Sequence, residues 1–184
     1  MLYRVFPRIP DAGPRDPGGA LFVPRLDQGR GRHDNPDAYG VLYLSHVPQS
    51  PVAEVLREYV APGAPPHPLL REGSQIGLAT IDDSRVGDLL DLDDPRTLVA
   101  HRLRPSQVAT RERDPTQAIG LSIYEEGASG FEWWSTIESS WINVTVFAER
   151  AADRLTLAGE PEALTLDHPA VREAADAVGV LLEA

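Results

Sequence analysis

Apolar positions along the chain gather in short runs, separated by stretches rich in proline, glycine and aspartate. The clearest pairing of the two regular periods is residues 39–59, YGVLYLSHVPQSPVAEVLREY. Val41, Leu42, Tyr43 and Leu44 form a run rich in sheet-favouring side chains, which predicts a strand. Ser50 then stands as an N-cap and Pro51 as a first helical residue, where a missing N–H costs nothing. Val52, Val55, Leu56 and Tyr59 recur at helical spacing and give one apolar face. Further strands are predicted at residues 2–6, 75–81 and 141–147 (WINVTVF), with short candidates at 20–23, 155–157 and 164–166. Asp114-Pro115-Thr116-Gln117 reads as a capped helix start, with Ala118, Leu121 and Tyr124 as its buried stripe and Gly127 as its end. A last helix is predicted over residues 168–182, with Val171, Ala175, Val178 and Leu182 on one face. Residues 7–24 and 60–74, dense in proline, read as irregular, and residues 86–92 as a turn or short helix. Strands interspersed with helices over this length predict one α/β (α+β) domain, residues 1–184.

Composition narrows the function classes. The net charge of −11 argues against direct nucleic-acid binding, because phosphate neutralisation dominates that affinity. No apolar run is long enough for a membrane span and no secretory signal is visible, so a cytoplasmic protein is expected. There is no cysteine, hence no disulfide framework or thiolate metal site. Every basic residue is arginine, which rules out a lysine Schiff base or a P-loop lysine.

Three stretches carry candidate chemistry. In residues 28–37, QGRGRHDNPD, glycines interleave with Arg30 and Arg32, so the backbone can approach a ligand while guanidiniums grip an anion. A flexible, solvated Arg-Gly loop is the alternative. Glu54, placed in the first turn of its helix, is either a dipole-stabilised surface acid or a catalytic carboxylate. Residues 130–135, GFEWWS, set Trp133 and Trp134 beside Ser135, as core or as an aromatic wall for a planar ring. The cluster Asp88, Asp91, Asp93 and Asp94 lacks the ligand alternation of a calcium loop and reads as solvated surface. No metal site is expected. No Rossmann glycine fingerprint and no G-x-S-x-G elbow occurs, which weighs against a hydride-carrier site and against a serine hydrolase.

The order of these motifs resembles the RES-domain family, named for its Arg, Glu and Ser. The matching stretches are Tyr3-Arg4-Val5, Gly31-Arg32-His33, Val41-Leu42-Tyr43-Leu44-Ser45 and Ser50-Pro51-Val52-Ala53-Glu54. Thr116-Gln117-Ala118-Ile119, Gly130-Phe131-Glu132-Trp133-Trp134-Ser135 and the strand ending in Phe147 follow. His33 departs from the aromatic residue expected after the loop arginine, so Arg30 competes with Arg32 as its counterpart. The resemblance implies a fold similar to mono-ADP-ribosyltransferases. It also implies a toxin of a toxin–antitoxin pair that degrades NAD at the nicotinamide–ribose bond, by glycohydrolysis or phosphorolysis, with no cofactor beyond NAD as substrate. The partner it implies is an antitoxin with an Xre-like helix-turn-helix region; a homo-oligomer is compatible.

On this reading Glu54 stabilises an oxocarbenium-like charge on the ribose. Arg32, or Arg30 in its place, and Arg4 clamp the pyrophosphate; Tyr43 and Trp133 flank the ring; Ser135 hydrogen-bonds ribose or carboxamide. The competing readings are a protein mono-ADP-ribosyltransferase and a catalytically inactive partner-binding domain, which an NAD-consumption assay separates.

Overall fold

The apolar alternation of the opening segment forms β1 (Leu2–Arg8), which carries on through Pro7, and everything else is arranged about it. The structure, a computed structural model, describes residues 1–59, 67–71, 73–87 and 89–182. In chain order β1 is followed by β2 (Val41–Ser45), α1 (Gln49–Tyr59), β3 (Leu70–Arg71), β4 (Ser74–Asp82) and β5 (Leu90–Asp91). Next come α2 (Pro95–Ala100), α3 (Pro105–Val108), α4 (Arg113–Glu125), β6 (Gly130–Trp134) and β7 (Ile142–Phe147). The chain closes with α5 (Ala148–Ala151), β8 (Thr156–Leu157), β9 (Glu162–Ala163) and α6 (Pro169–Val178). The strands form one sheet in the order β3-β4-β1-β2-β7-β6-β5, with β8 and β9 paired to β4. All pairs are antiparallel except β5 with β6.

The sheet is nearly split at its centre. β1 pairs with β4 from Leu2↔Ile81 to Arg8↔Gln75, and β2 pairs with β7 from Val41↔Phe147 to Ser45↔Asn143. Between β1 and β2 the register holds only Tyr3↔Ser45. Strand alternation distributes the core accordingly. Leu2, Phe6, Leu42 and Leu44 pack on one face with Leu21, Ile81, Val144 and Leu155. On the other face α1 and α6 cover the β1–β4 half, with Leu56, Leu78 and Val171 buried between them. α4 covers the β2–β7–β6 half, over Tyr39, Phe131 and Phe147. Two helical caps therefore sit on one face, one each side of the split.

Several boundaries differ from those the sequence suggests. α1 begins at Gln49, so Ser50 lies inside the helix instead of capping it. Its hydroxyl donates to Asn143 Oδ1 of β7 at 2.7 Å, a buried partner that outcompetes the cap. Glu54 consequently falls in the second turn, outside the reach of the dipole's positive end. α4 starts at Arg113, with Glu112 as its cap residue. Its fully buried positions are Thr116, Ile119, Gly120 and Ile123; of the predicted stripe, Leu121 and Tyr124 are partly buried against the core and Ala118 is exposed. The helix is rolled by the close approach of Gly120, where an added Cβ would lie 2.7 Å from Tyr39 Oη. Residues 20–21 lie in a turn and 22–23 in irregular chain, with Ala20 and Leu21 buried. The predicted strand at 164–166 is displaced to β9, and of the segment 86–92, read as a turn or short helix, Val86 closes a turn on Asp83 while residues 90–91 extend beside β6. α6 stops at Val178 because Gly179 takes a left-handed conformation, φ 69°. α2 and α3 were not anticipated, although Asp94 accepts the Arg96 N–H and both helices open on proline. The proline-rich loop expected at 60–74 falls largely on residues outside the described ones, as does Asp88 of the acidic cluster.

Candidate functional site

A cleft of about 340 Å³ opens over the split in the sheet, between the two helical caps. Val5, Tyr43, Leu44, Trp133 and Asn143 come from the strands, and Pro51, Glu54, Val55 and Glu58 from α1. Gly31 and Arg32 come from the loop before β2, and Arg113 from the first residue of α4. The volume lies in the range of small-molecule sites, roughly 300–1,000 Å³.

The loop is a fixed structure and not a solvated Arg-Gly segment. Asp34, 5 % exposed, anchors it. Its carboxylate accepts the N–H groups of Gly29 and Gly31 at 2.8 and 2.6 Å and the Tyr43 hydroxyl at 2.7 Å. Gln117 Nε2 donates to the Gly29 and Gly31 carbonyls, tying the loop to α4. Gly31 is needed for proximity: a Cβ there would lie 2.5 Å from both Asp34 Oδ1 and Tyr43 Oη. Burial and the adjacent Asp34 push the Tyr43 hydroxyl well above its usual range, so it stays protonated and donates.

Arg32 is held on three sides. Nη1 donates to the Thr110 carbonyl at 2.6 Å and Nη2 to that of Val108 at 2.5 Å, while its guanidinium carbon lies 4.7 Å from the Trp133 ring centre. Burial, then repulsion from Arg113, lowers its pKa to about 10, which leaves it charged at neutral pH. Two of its five N–H groups are engaged by the carbonyls and Nε is buried without a partner. His33, 2 % exposed, packs edge-on against Phe131 and Trp133, its ring centre 4.7 and 5.1 Å from theirs. Its Nδ1 lies 2.8 Å from Thr145 Oγ1, which also accepts the Trp133 indole N–H at 3.1 Å. Burial, then Arg32 and Arg113, depresses the imidazole well below its ordinary value, so His33 is neutral and serves as the aromatic residue after the loop arginine.

Glu54 is half-exposed and paired with Arg57, Oε2 to Nη2 at 2.8 Å. Asn143, 6 % exposed, has its Oδ1 engaged by Ser50. The cleft thus gathers Arg32, Tyr43, Glu54 and Trp133 from the residues singled out by sequence. Arg4 does not join them. It lies on the opposite face of β1 from Val5 and donates to the Ala20 carbonyl at 2.5 Å, its pKa lowered to about 10 by burial. Alternation puts it there, away from the cleft and from the pyrophosphate role expected of it. Arg30 lies outside the lining, its carbonyl accepting from Arg113 Nε at 2.8 Å, so of the two loop arginines it is Arg32 that reaches the cleft. Ser135 is also outside the lining; it is buried in the β6–β7 turn, its hydroxyl accepting the Ile137 N–H at 3.1 Å.

Arg113, Asn143 and Asp34 are the residues sequence reasoning missed. Asn143 and Thr145 had a signal, polar side chains on one parity of a strand otherwise apolar. Arg113 and Asp34 had none that singled them out from other surface charges.

A family model described as the RES domain matches residues 1–167. The chain belongs to the RES-domain family. No curated protein matches it. Among solved structures, this RES domain is similar to the toxin chain in the crystal structure of the M. tuberculosis MbcT–MbcA toxin–antitoxin complex. The TM-score is 0.66 at 21% identity, over 97% of this chain and 88% of the other. That likeness establishes a shared fold.

Proposed function

We propose that this RES domain is the toxin of a toxin–antitoxin pair and cleaves NAD at the nicotinamide–ribose bond. The observation that carries the proposal is the charge arrangement of the cleft. Carboxylates Glu54 and Glu58 project from α1, while Arg32 and Arg113 come from the loop and α4. NAD has matching polarity, with a cationic pyridinium ring at one end and an anionic pyrophosphate further along. In this reading Arg32, fixed by two carbonyls, binds the pyrophosphate, and Tyr43 and Trp133 border the nicotinamide. As the ring departs with its bonding electrons, positive charge develops on the ribose, and Glu54 stabilises it. Substrate entry would shift Glu54 away from Arg57, a half-exposed pair of small net worth. Water or phosphate then takes the anomeric carbon, giving ADP-ribose or its phosphate ester. The partner in this proposal is an antitoxin that occludes the cleft. Incubating purified protein with NAD, with and without phosphate, and weighing the products tests the reaction. Unchanged NAD under both conditions overturns it.

A further inference from the structure

We infer that Arg113 and Arg32 form a two-guanidinium clamp for the pyrophosphate of a dinucleotide, with Arg113 as the specificity-determining half. The inference rests on the dinucleotide reading of the cleft and adds to it a residue on a different element.

Both side chains line the same cleft although 81 positions separate them in sequence (113 − 32). Arg113 is positioned, since its Nε donates to the Arg30 carbonyl at 2.8 Å, two residues from Arg32. Its remaining contact is a longer one, Nη1 to the Arg111 carbonyl at 3.3 Å, so Nη2 is uncommitted among the described contacts. Among the described residues neither Arg32 nor Arg113 pairs with a carboxylate. Glu58 also lines the cleft but makes a salt bridge with neither among the described residues, and the two other nearby carboxylates are engaged. Asp34 is taken up by Gly29, Gly31 and Tyr43, and Glu54 by Arg57. Two like charges held in one cleft repel, and Arg113 depresses the Arg32 pKa accordingly. An anionic ligand bridging both removes that repulsion and fills the free donors. In a chain of net charge −11, two guanidiniums without a carboxylate partner, both on the loop and α4 side of a cavity whose carboxylates Glu54 and Glu58 come from α1, make a local positive end suited to a diphosphate.

The test is calorimetric titration of inorganic pyrophosphate and of ADP-ribose into the intact protein and into Arg113→Gln and Arg113→Lys. Loss of one charge-assisted contact weakens binding by about ten- to a hundredfold, so Arg113→Gln is expected to bind both ligands at least tenfold more weakly. Arg113→Lys, which keeps the charge but loses the fork, is expected to recover part of it. A second readout is the ratio of kcat/KM for NAD to that for nicotinamide riboside, which carries no phosphate. It is expected to fall about tenfold in Arg113→Gln, the loss appearing in KM. A merely structural role would lower both substrates together and leave the ratio unchanged. No pyrophosphate binding by the intact protein, or equal binding by Arg113→Gln, overturns the clamp. Clamp binding without NAD cleavage would keep the inference while overturning the proposed reaction.

Discussion

Two residues in the cleft respond to substitution in ways that separate chemistry from architecture. If Glu54 acts on charge present only in the transition state, Glu54→Gln lowers turnover by about a hundred- to a thousandfold, as for loss of one preorganised electrostatic contact. The fold should barely notice, because the Glu54–Arg57 pair is half-exposed and worth roughly 0–1 kcal/mol. Steady-state kinetics beside a melting curve checks both parts; near-normal turnover in a folded Glu54→Gln protein returns Glu54 to a surface acid. His33 reports on the architecture instead. Its folded pKa is depressed, so below the unfolded value of about 6.5 the unfolded chain binds a proton that the native state refuses. Stability from His33 is complete above that pH and falls as pH drops through it, by up to about 1.4 kcal/mol per unit. Urea unfolding between pH 7 and pH 5 should show a smaller loss in His33→Phe than in the natural protein. Identical slopes would mean His33 takes up a proton inside the fold.

Elements meet here through close approaches that a hydrophobic pattern does not reveal. α4 docks on Tyr39 and the loop through Gly120, where a Cβ would stand 2.7 Å from Tyr39 Oη and 3.1 Å from His33 Cβ. Alanine is the better helix former by about 1 kcal/mol, yet overpacking costs about 1–3 kcal/mol. Gly120→Ala is therefore expected to lower the melting temperature and weaken ligand binding together, since Gln117 and Arg113 on that helix hold the loop. A more stable Gly120→Ala protein would show that α4 can shift without disturbing the site.

At the scale of the molecule, the split between β1 and β2 creates the cleft. Had the register continued past Tyr3↔Ser45, the strand edges at Val5 and Tyr43 would be joined and the cavity closed. The proposed activity then has a cellular consequence. Expression of this chain alone should slow bacterial growth and deplete NAD, Glu54→Gln should relieve both, and a cognate antitoxin should relieve the natural protein. Growth arrest with an unchanged NAD pool would point to modification of a protein instead. No helix among the described residues is long and apolar enough to cross a membrane.

Local order in the sequence was enough for the elements whose signals are short-range. β1, β2, β4 and β7 follow from runs of sheet-favouring residues, and α1 and α6 from helical spacing, because such preferences act over a few neighbours. The same local motifs carried the family and named Arg32, Tyr43, Glu54 and Trp133, which line the cleft, alongside Arg4, Arg30 and Ser135, which do not. What they could not decide was set by contacts distant in sequence. Ser50 left its expected cap for Asn143, 93 positions away, and Arg32 found its partners at Val108 and Thr110, 76 and 78 positions on. Arg4 was turned from the cleft by strand alternation, once β1 had buried its opposite face under α1. Arg113 became a site residue only because α4 packs across the loop, and no property of the segment RERDP distinguishes it before that packing exists. Periodicity specifies which side of an element is buried, but the partner that buries it, and the polar groups left facing a cavity, are settled by the assembled sheet and its two helical caps.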